Sequence, residues 1–318
     1  MSTVQRTELH RHLDASFRPS TLVTLVNRLQ IPAPFKTAKE VREKFWITSQ
    51  MKSLAEVLAC FEIFQKVLRT QEILEQVAFE AVEDAALDGI QKIELRYSPS
   101  FTSEFSGLSW KEALDSFSKG IQQGAATHGI RAGLICIASR EYGLEAAIKT
   151  VEFALENRGQ FIGVDLAGNE EAFPNRNYAS AFRRAVDAGM PVTIHAGEAC
   201  GPESIWQAID ELGARRIGHG ITATRDEKLI QRLARDGILL ETCPTSNYVT
   251  RSVNSFAEHP LPKFLAARIP VSISTDEPGI FGVTLTEEQA IARKHMGLSG
   301  ADIAKTEAFA SSHSFLPG

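Results

Sequence analysis

Several of the chain's histidines stand where short apolar runs stop, and that placement is the first sign of chemistry. Pro191-Val192-Thr193-Ile194-His195-Ala196-Gly197-Glu198 runs from strand-like residues into a histidine, a small-residue turn and a carboxylate. Gly197 lets the backbone turn tightly, which sets Glu198 beside His195. A metal-binding imidazole next to a proton donor is what hydrolysis of a carbon–nitrogen bond requires. Taken alone, the stretch reads more simply as a strand end with a solvated histidine and a helix-capping glutamate. The event recurs, however. Thr7-Glu8-Leu9-His10-Arg11-His12 ends in two histidines and Arg215-Arg216-Ile217-Gly218-His219-Gly220 in one. Pro270-Val271-Ser272-Ile273-Ser274-Thr275-Asp276-Glu277-Pro278 ends in paired carboxylates.

The elements that must bring these ends together are legible in outline. A chain of 318 residues can bury a large core, and a single barrel of this length is ordinary. The net charge of −5 supplies no basic stripe for nucleic acid. Cys60, Cys136, Cys200 and Cys243 lie far apart with no C-x-x-C spacing, so reduced thiols in a reducing, cytoplasmic setting are expected. No signal peptide or membrane-spanning run is visible, and no membrane partner is expected. Apolar runs near 7–10, 93–97, 132–138, 161–166, 216–218 and 238–242, with those ending at His195 and near Asp276, alternate with amphipathic helical stretches. Glycines such as Gly89, Gly159, Gly189, Gly213 and Gly237 stop the helical stretches. The pattern is α/β, and eight strands favour a closed (β/α)8 TIM barrel spanning 1–318 as one domain. Residues 31–70 form an insertion after the first strand, with apolar residues at Val57, Leu58, Phe61 and Phe64. Insertions at a barrel mouth often act as lids, although core packing is the plainer role for these aromatics. An open doubly wound sheet is disfavoured because no G-x-G-x-x-G follows the first strand.

A barrel gathers its site at the carboxyl ends of its strands, so His10, His12, His195, His219 and Asp276 should converge. In H-x-H both imidazoles point to one side of the strand, while Arg11 faces the helical layer. An isolated H-x-H is weak evidence, but with His195 and Asp276 it makes a His₃Asp set suited to zinc or a similar metal. His128, His259, His295 and His313 fall in helices or loops and are expected at the surface.

E-L-H-R-H-L-D, R-Y-S-P, D-L-A-G-N-E, H-A-G-E, R-I-G-H-G, C-P-T-S-N and S-T-D-E-P occur in this order from Glu8 onward. As a set they resemble the motif series of the adenosine deaminase family, within the metal-dependent amidohydrolase superfamily. The resemblance reaches Phe315, nearly the whole chain. It implies that His10, His12, His195 and Asp276 hold one Zn2+ per chain with a bound water, whose pKa the metal lowers. It implies further that His219 orients that water, with Asp276 also accepting a hydrogen bond from it. Glu198 would protonate purine N1 so that C6 accepts hydroxide and ammonia leaves. Gly168 would offer its backbone amide to purine N3, Asp14 would bind the ribose 5′-hydroxyl, and His12 would also border the substrate.

The sequence departs from the family pattern in two places. Ala15 follows Asp14 where a glycine is usual, and Glu277 stands where a second aspartate usually contacts purine N7. The chain also ends soon after Phe315, where relatives often continue with a helix. Asp14 could instead be a cap for the helix beginning near Pro19. Asp165, inside the fourth strand, reads as a structural carboxylate. The implied partner is a small purine nucleoside, adenosine or deoxyadenosine. Adenine, 5′-methylthioadenosine or 6-aminodeoxyfutalosine are the alternatives, and a catalytically silent nucleoside-binding relative is a further one. Cytidine-deaminase-type chemistry is disfavoured, since H-x-E followed by P-C-x-x-C is absent.

Overall fold

Each apolar run becomes a parallel strand of one (β/α)8 barrel. The computed structural model describes residues 5–51 and 54–316, with the backbone alone for 54–59. The strands are β1 (Thr7–His12), β2 (Lys92–Tyr97), β3 (Arg131–Ser139), β4 (Phe161–Ala167), β5 (Thr193–Ala196), β6 (Arg216–His219), β7 (Leu239–Thr242) and β8 (Val271–Ile273). Every neighbouring pair within β1–β4 and within β5–β8 is parallel and in sequence order. The two half-barrels are joined by single bridges, Val164 to Val192 on one side and Arg11 to Asp276 on the other.

Helices cover the outside, and their ends follow ordinary capping chemistry. Thr70 accepts from the Ile73 amide at the start of Gln71–Leu87. Ser109 and Glu112 form a reciprocal capping box on Trp110–His128, which ends at Gly129 with φ 66°. Gly237, with φ 65°, likewise stops Glu227–Asp236. Leu95, Ile194, Ile217 and Leu240 are wholly buried between strands and helices, each contributing about 1.5–3 kcal/mol by its removal from water.

Strand boundaries differ from the sequence expectation where chemistry begins. β1 runs through His12 and β6 through His219, so these rings are held by ladder hydrogen bonds rather than by loops. β8 stops at Ile273, and three residues on Asp276 takes φ 62°, a left-handed conformation, where it bridges to Arg11. Ala15 lies in the 3-10 turn Leu13–Ala15 and is not among the residues with positive φ, so a glycine is not needed there. The insertion folds as Ala38–Glu40, a π-type turn Val41–Phe45 and a helix Leu54–Val67. Phe64 stacks on Phe17 with ring centres 4.7 Å apart and meets Phe45 edge-on. The insertion is therefore anchored on the turn after β1 by aromatic packing. The side chains of Val57 and Leu58 lie outside the described residues.

Candidate active site

His10, His195, His219 and Asp276 meet in one buried group, and His12 stands beside it in a second that shares Asp276 and includes Glu277. His10 Nδ1 lies 2.8 Å from Glu241 Oε2, a carboxylate oxygen, so this nitrogen donates and in the neutral ring Nε2 carries the lone pair. His195 is fixed the same way: its Nδ1 lies 3.0 Å from Asp165 Oδ2, which leaves Nε2 as an acceptor. His10 Nε2 faces Asp276 Oδ1 at 3.2 Å, and His12 Nε2 lies 3.4 Å from both Asp276 Oδ1 and His195 Nε2. His219 joins the group, with Nε2 3.8 Å from Asp276 Oδ2.

This arrangement fits a metal. His10 Nε2 and Asp276 Oδ1 are buried with no hydrogen-bond partner, and both are acceptors. Acceptors aimed at one another at 3.2–3.4 Å repel unless a cation lies among them. A tetrahedral shell with ligands 2.0–2.1 Å from zinc has edges of about 3.3 Å, close to the spacing of the His10–Asp276, His12–Asp276 and His12–His195 pairs. The donor set of imidazoles and one carboxylate suits a borderline divalent ion.

Beside the cluster stands Glu198. Its carboxyl group accepts from Thr250 Oγ1 at 3.1 Å and lies 3.4 Å from His219 Nε2. A quarter of the side chain stays open to solvent. Burial of the rest, with Asp276 and Glu170 nearby, still pushes its pKa up to about 8, so it holds a proton at neutral pH. The turn that presents it is built around Glu170. That carboxylate accepts the amides of Gly197 at 2.6 Å, Glu198 at 3.2 Å, Ala199 at 3.0 Å and Cys200 at 3.1 Å, and the Ser204 hydroxyl. Gly197 has φ 69°, and a Cβ there would stand 2.5 Å from Ile205.

The remaining residues singled out from the sequence lie around the mouth. Asp14 is not a cap: the helix Pro19–Arg28 has Arg18 at its N-cap, and Asp14 is buried. Gln65 of the insertion donates to Asp14 Oδ2 at 3.3 Å, while Oδ1 has no partner. Burial pushes Asp14 up to about 7. Glu277 shares a group with His12 and Asp276. Burial, with Asp276, Glu198 and Asp14 close by, raises its pKa well above the usual range. Gly168, at φ 104° just past β4, is exposed, and a Cβ on it would run into the Glu141 carboxylate at 2.4 Å. No hydrogen bond among the described residues ties Gly168 to the metal-type cluster. One surface expectation is corrected. His259 is buried at 3% exposure, held by Asn247 of the helix Pro244–Val249 and by the Leu261 amide.

The floor of the site is a buried charge network that sequence reading mostly missed. Arg96 donates to Asp165 Oδ2 at 2.7 Å, Glu241 Oε2 at 2.8 Å and the Leu9 carbonyl at 2.6 Å. Arg216 pairs with Glu94 and Glu241, both at 2.7 Å. Although burial opposes it, His195 and Arg96 hold Asp165 ionised, below the usual carboxylate range. Asp165 thus has the structural part expected of it, as the acceptor that fixes the His195 ring. Glu241 does the same for His10. The signal for it was a lone carboxylate inside the apolar run Ile238-Leu239-Leu240-Glu241-Thr242.

A parallel eight-stranded barrel that gathers buried imidazoles and a carboxylate at its strand ends has a cluster capable of holding a metal ion, in the architecture of the amidohydrolase-type deaminases. Comparison with known proteins narrows this. The adenosine deaminase family model matches residues 5–318. Adenosine deaminase of Escherichia coli (strain SE11) is 40% identical over 306 residues, covering 96% of this chain and 92% of that protein. Among solved structures, adenine deaminase of Arthrobacter aurescens superposes with a TM-score of 0.89 at 26% identity, covering 98% of this chain and 94% of that one. A Burkholderia ambifaria amidohydrolase with bound Zn gives a TM-score of 0.88 at 25% identity, covering 99% and 86% respectively. The chain belongs to the adenosine deaminase family, hydrolases that act on the carbon–nitrogen bond of a cyclic amidine.

Proposed function

We propose that the protein is a zinc enzyme that converts adenosine and deoxyadenosine to inosine and deoxyinosine with release of ammonia, as one cytoplasmic catalytic domain over residues 1–318. One observation carries the reading: His10 Nε2, His12 Nε2 and Asp276 Oδ1 stand within 3.2–3.4 Å contacts on one side of His219, and on its other side is the Glu198 carboxyl group, whose pKa burial pushes up to about 8. His10, His12, His195 and Asp276 would hold the metal, which when bound lowers the pKa of water so that hydroxide is available near neutral pH.

The chain's own groups do the rest. Glu198 gives its proton to purine N1, which makes C6 electrophilic. His219 and Asp276 orient the incoming oxygen on one face of C6. Addition there breaks the ring's aromaticity. The proton of the added hydroxyl passes to the amine, which leaves as ammonia, while N1 keeps its proton in the 6-oxo purine and the proton that water releases in forming hydroxide restores Glu198. The Gly168 amide serves purine N3, and Asp14, held by Gln65, accepts from the ribose 5′-hydroxyl. Glu277, whose pKa is raised by burial and by the nearby Asp276, Glu198 and Asp14, would donate to N7, which only accepts.

The longer arm of Glu277 is also what favours the second reading, that another 6-aminopurine is preferred. Wild type and Glu277→Asp, both zinc-loaded, would be assayed spectrophotometrically on adenosine, deoxyadenosine, adenine, 5′-methylthioadenosine and aminodeoxyfutalosine. Adenosine and deoxyadenosine are expected to be turned over best. The substitution should shift relative kcat/KM by several-fold, since a buried hydrogen bond is worth about 1–3 kcal/mol. Preference for adenine would overturn the nucleoside reading. Unchanged ratios across the set would remove Glu277 from the purine edge.

A further inference from the structure

What a neutral imidazole does at a reaction centre depends on which ring nitrogen carries the proton. For His219 that choice is made outside the reacting cluster, by a chain of hydrogen bonds anchored on backbone amides, which can only donate. The Leu261 amide donates to His259 Nδ1 at 3.2 Å, so that nitrogen is a lone pair. Burial pushes His259 down to about 3, and its single proton therefore sits on Nε2. His259 Nε2 donates to Asn247 Oδ1 at 3.2 Å, and the Cys243 amide donates to the same atom at 3.3 Å. Two donors on one atom identify it as the oxygen, which settles the orientation of the amide. The other end, Nδ2, then donates to His219 Nδ1 at 3.1 Å. His219, Asn247 and His259 are all at most 3% exposed, so water does not compete.

We propose that Asn247, oriented by His259 and the Cys243 amide, is a positioning residue that locks His219 as its Nε2–H tautomer. The nitrogen facing Glu198 and Asp276 is thereby a fixed donor. His219 steadies negative charge on the oxygen entering at C6, and proton acceptance at that nitrogen is closed to the neutral ring. The catalytic meaning of the relay rests on the deaminase reading given above. The tautomer itself does not.

The two are separated by one set of measurements. Zinc-loaded protein labelled with ¹⁵N-histidine, without substrate, is examined by two-bond ¹H–¹⁵N correlation, with His219→Gln identifying the His219 signals. Wild type is expected to show Nδ1 bare and Nε2 protonated. The opposite pattern overturns the proposal whether or not any variant folds. Asn247→Asp puts an acceptor where the amide donated and should invert the pattern. It should also lower kcat at least about a hundredfold, as expected for a catalytic histidine held in the wrong tautomer, with KM and bound zinc within about twofold. A loss of activity that merely tracks lost zinc or lost folded protein, with the tautomer unchanged, overturns it as well. Should the wild type deaminate none of the purines above while the spectra behave as stated, the deaminase reading fails and the relay stands.

Discussion

The sharpest energetic test of the site's floor is Glu241→Gln. Glu241 is wholly buried, and both its oxygens are engaged. Oε2 receives His10 Nδ1 at 2.8 Å and Arg96 Nη2 at 2.8 Å, while Oε1 receives Thr193 Oγ1 at 2.9 Å and lies 2.7 Å from Arg216 Nε. An amide must replace one oxygen by a donor. Thr193 can reverse its role freely. At Oε2, Arg96 can only donate, and His10 could reverse only by moving its proton to the nitrogen that faces Asp276. The amide nitrogen therefore settles at the Oε1 position, against the Arg216 guanidinium. Arg216 keeps Glu94, and Arg96 keeps Asp165, but the charge between the two guanidiniums is gone. Breaking a buried ion pair in this way costs about 3–5 kcal/mol. For a domain of 318 residues that lowers Tm by roughly 4–8 °C. His10 retains its acceptor in the variant but on a loosened side chain, and loss of such a supporting contact typically weakens metal affinity by about 10–100-fold. Thermal unfolding in excess chelator isolates the first effect, and zinc competition with a chromophoric chelator isolates the second. A Tm within about 2 °C of wild type in chelator would refute the argument that this network is held by its charge balance.

Other expectations concern single groups. Glu198→Gln keeps size and loses the proton, so zinc content by elemental analysis should persist while kcat falls about a hundredfold or more; near-native kcat would take Glu198 out of the mechanism. With Asp14 as acceptor for the 5′-hydroxyl, adenosine should be processed far better than AMP, whose phosphate would face a buried carboxyl group; comparable kcat/KM values would move Asp14 away from the ribose. His259 stays neutral in the fold down to about 3, against 6.5 for a free imidazole, so between those limits the unfolded chain binds a proton that the folded one does not. Stability should therefore rise with pH through that window, by up to about 1.4 kcal/mol per pH unit, and His259→Leu should remove one proton from the acid limb of unfolding curves.

The strand count, the barrel and the convergence of His10, His12, His195, His219 and Asp276 were legible because they depend on local pattern. Apolar runs, glycine stops and strand-end polar residues are written in adjacent positions. Arg96, Glu94, Glu241 and Arg216 were not read as one network, because a charge inside a strand says nothing of which neighbour's charge it meets. Their pairing depends on strand order and register, as when Arg96 of β2 reaches across the barrel interior to Glu241 of β7. Glu170 shows the same limit. It lies in a quoted motif, yet its role as acceptor for successive amides of another loop exists only in three dimensions. His259 departs from the surface expectation for a simpler reason: a loop position does not imply exposure, and the bond it accepts from the Leu261 amide and its contact to Asn247 hold it inside.

Asp276 links this site to the closure of the fold. Its amide donates to the His10 carbonyl at 3.0 Å, and its carbonyl accepts from the His12 amide at 2.8 Å. These bonds are the bridge that joins the last strand region to β1, and the carboxyl group they carry faces the rings of the same two histidines. Asp276 and His219 also hold φ of 62° and 64°, conformations that cost side-chain-bearing residues about 1 kcal/mol or more unless the surroundings enforce them. At Asp276 the enforcing contacts are the closing bonds themselves. Opening the barrel between β8 and β1 therefore separates Asp276 from His10 and His12, and any ion they hold in common loses its site in the same event. Metal affinity and barrel closure are accordingly one linked equilibrium, in which the bound state stabilises the seam where the first and last strands meet.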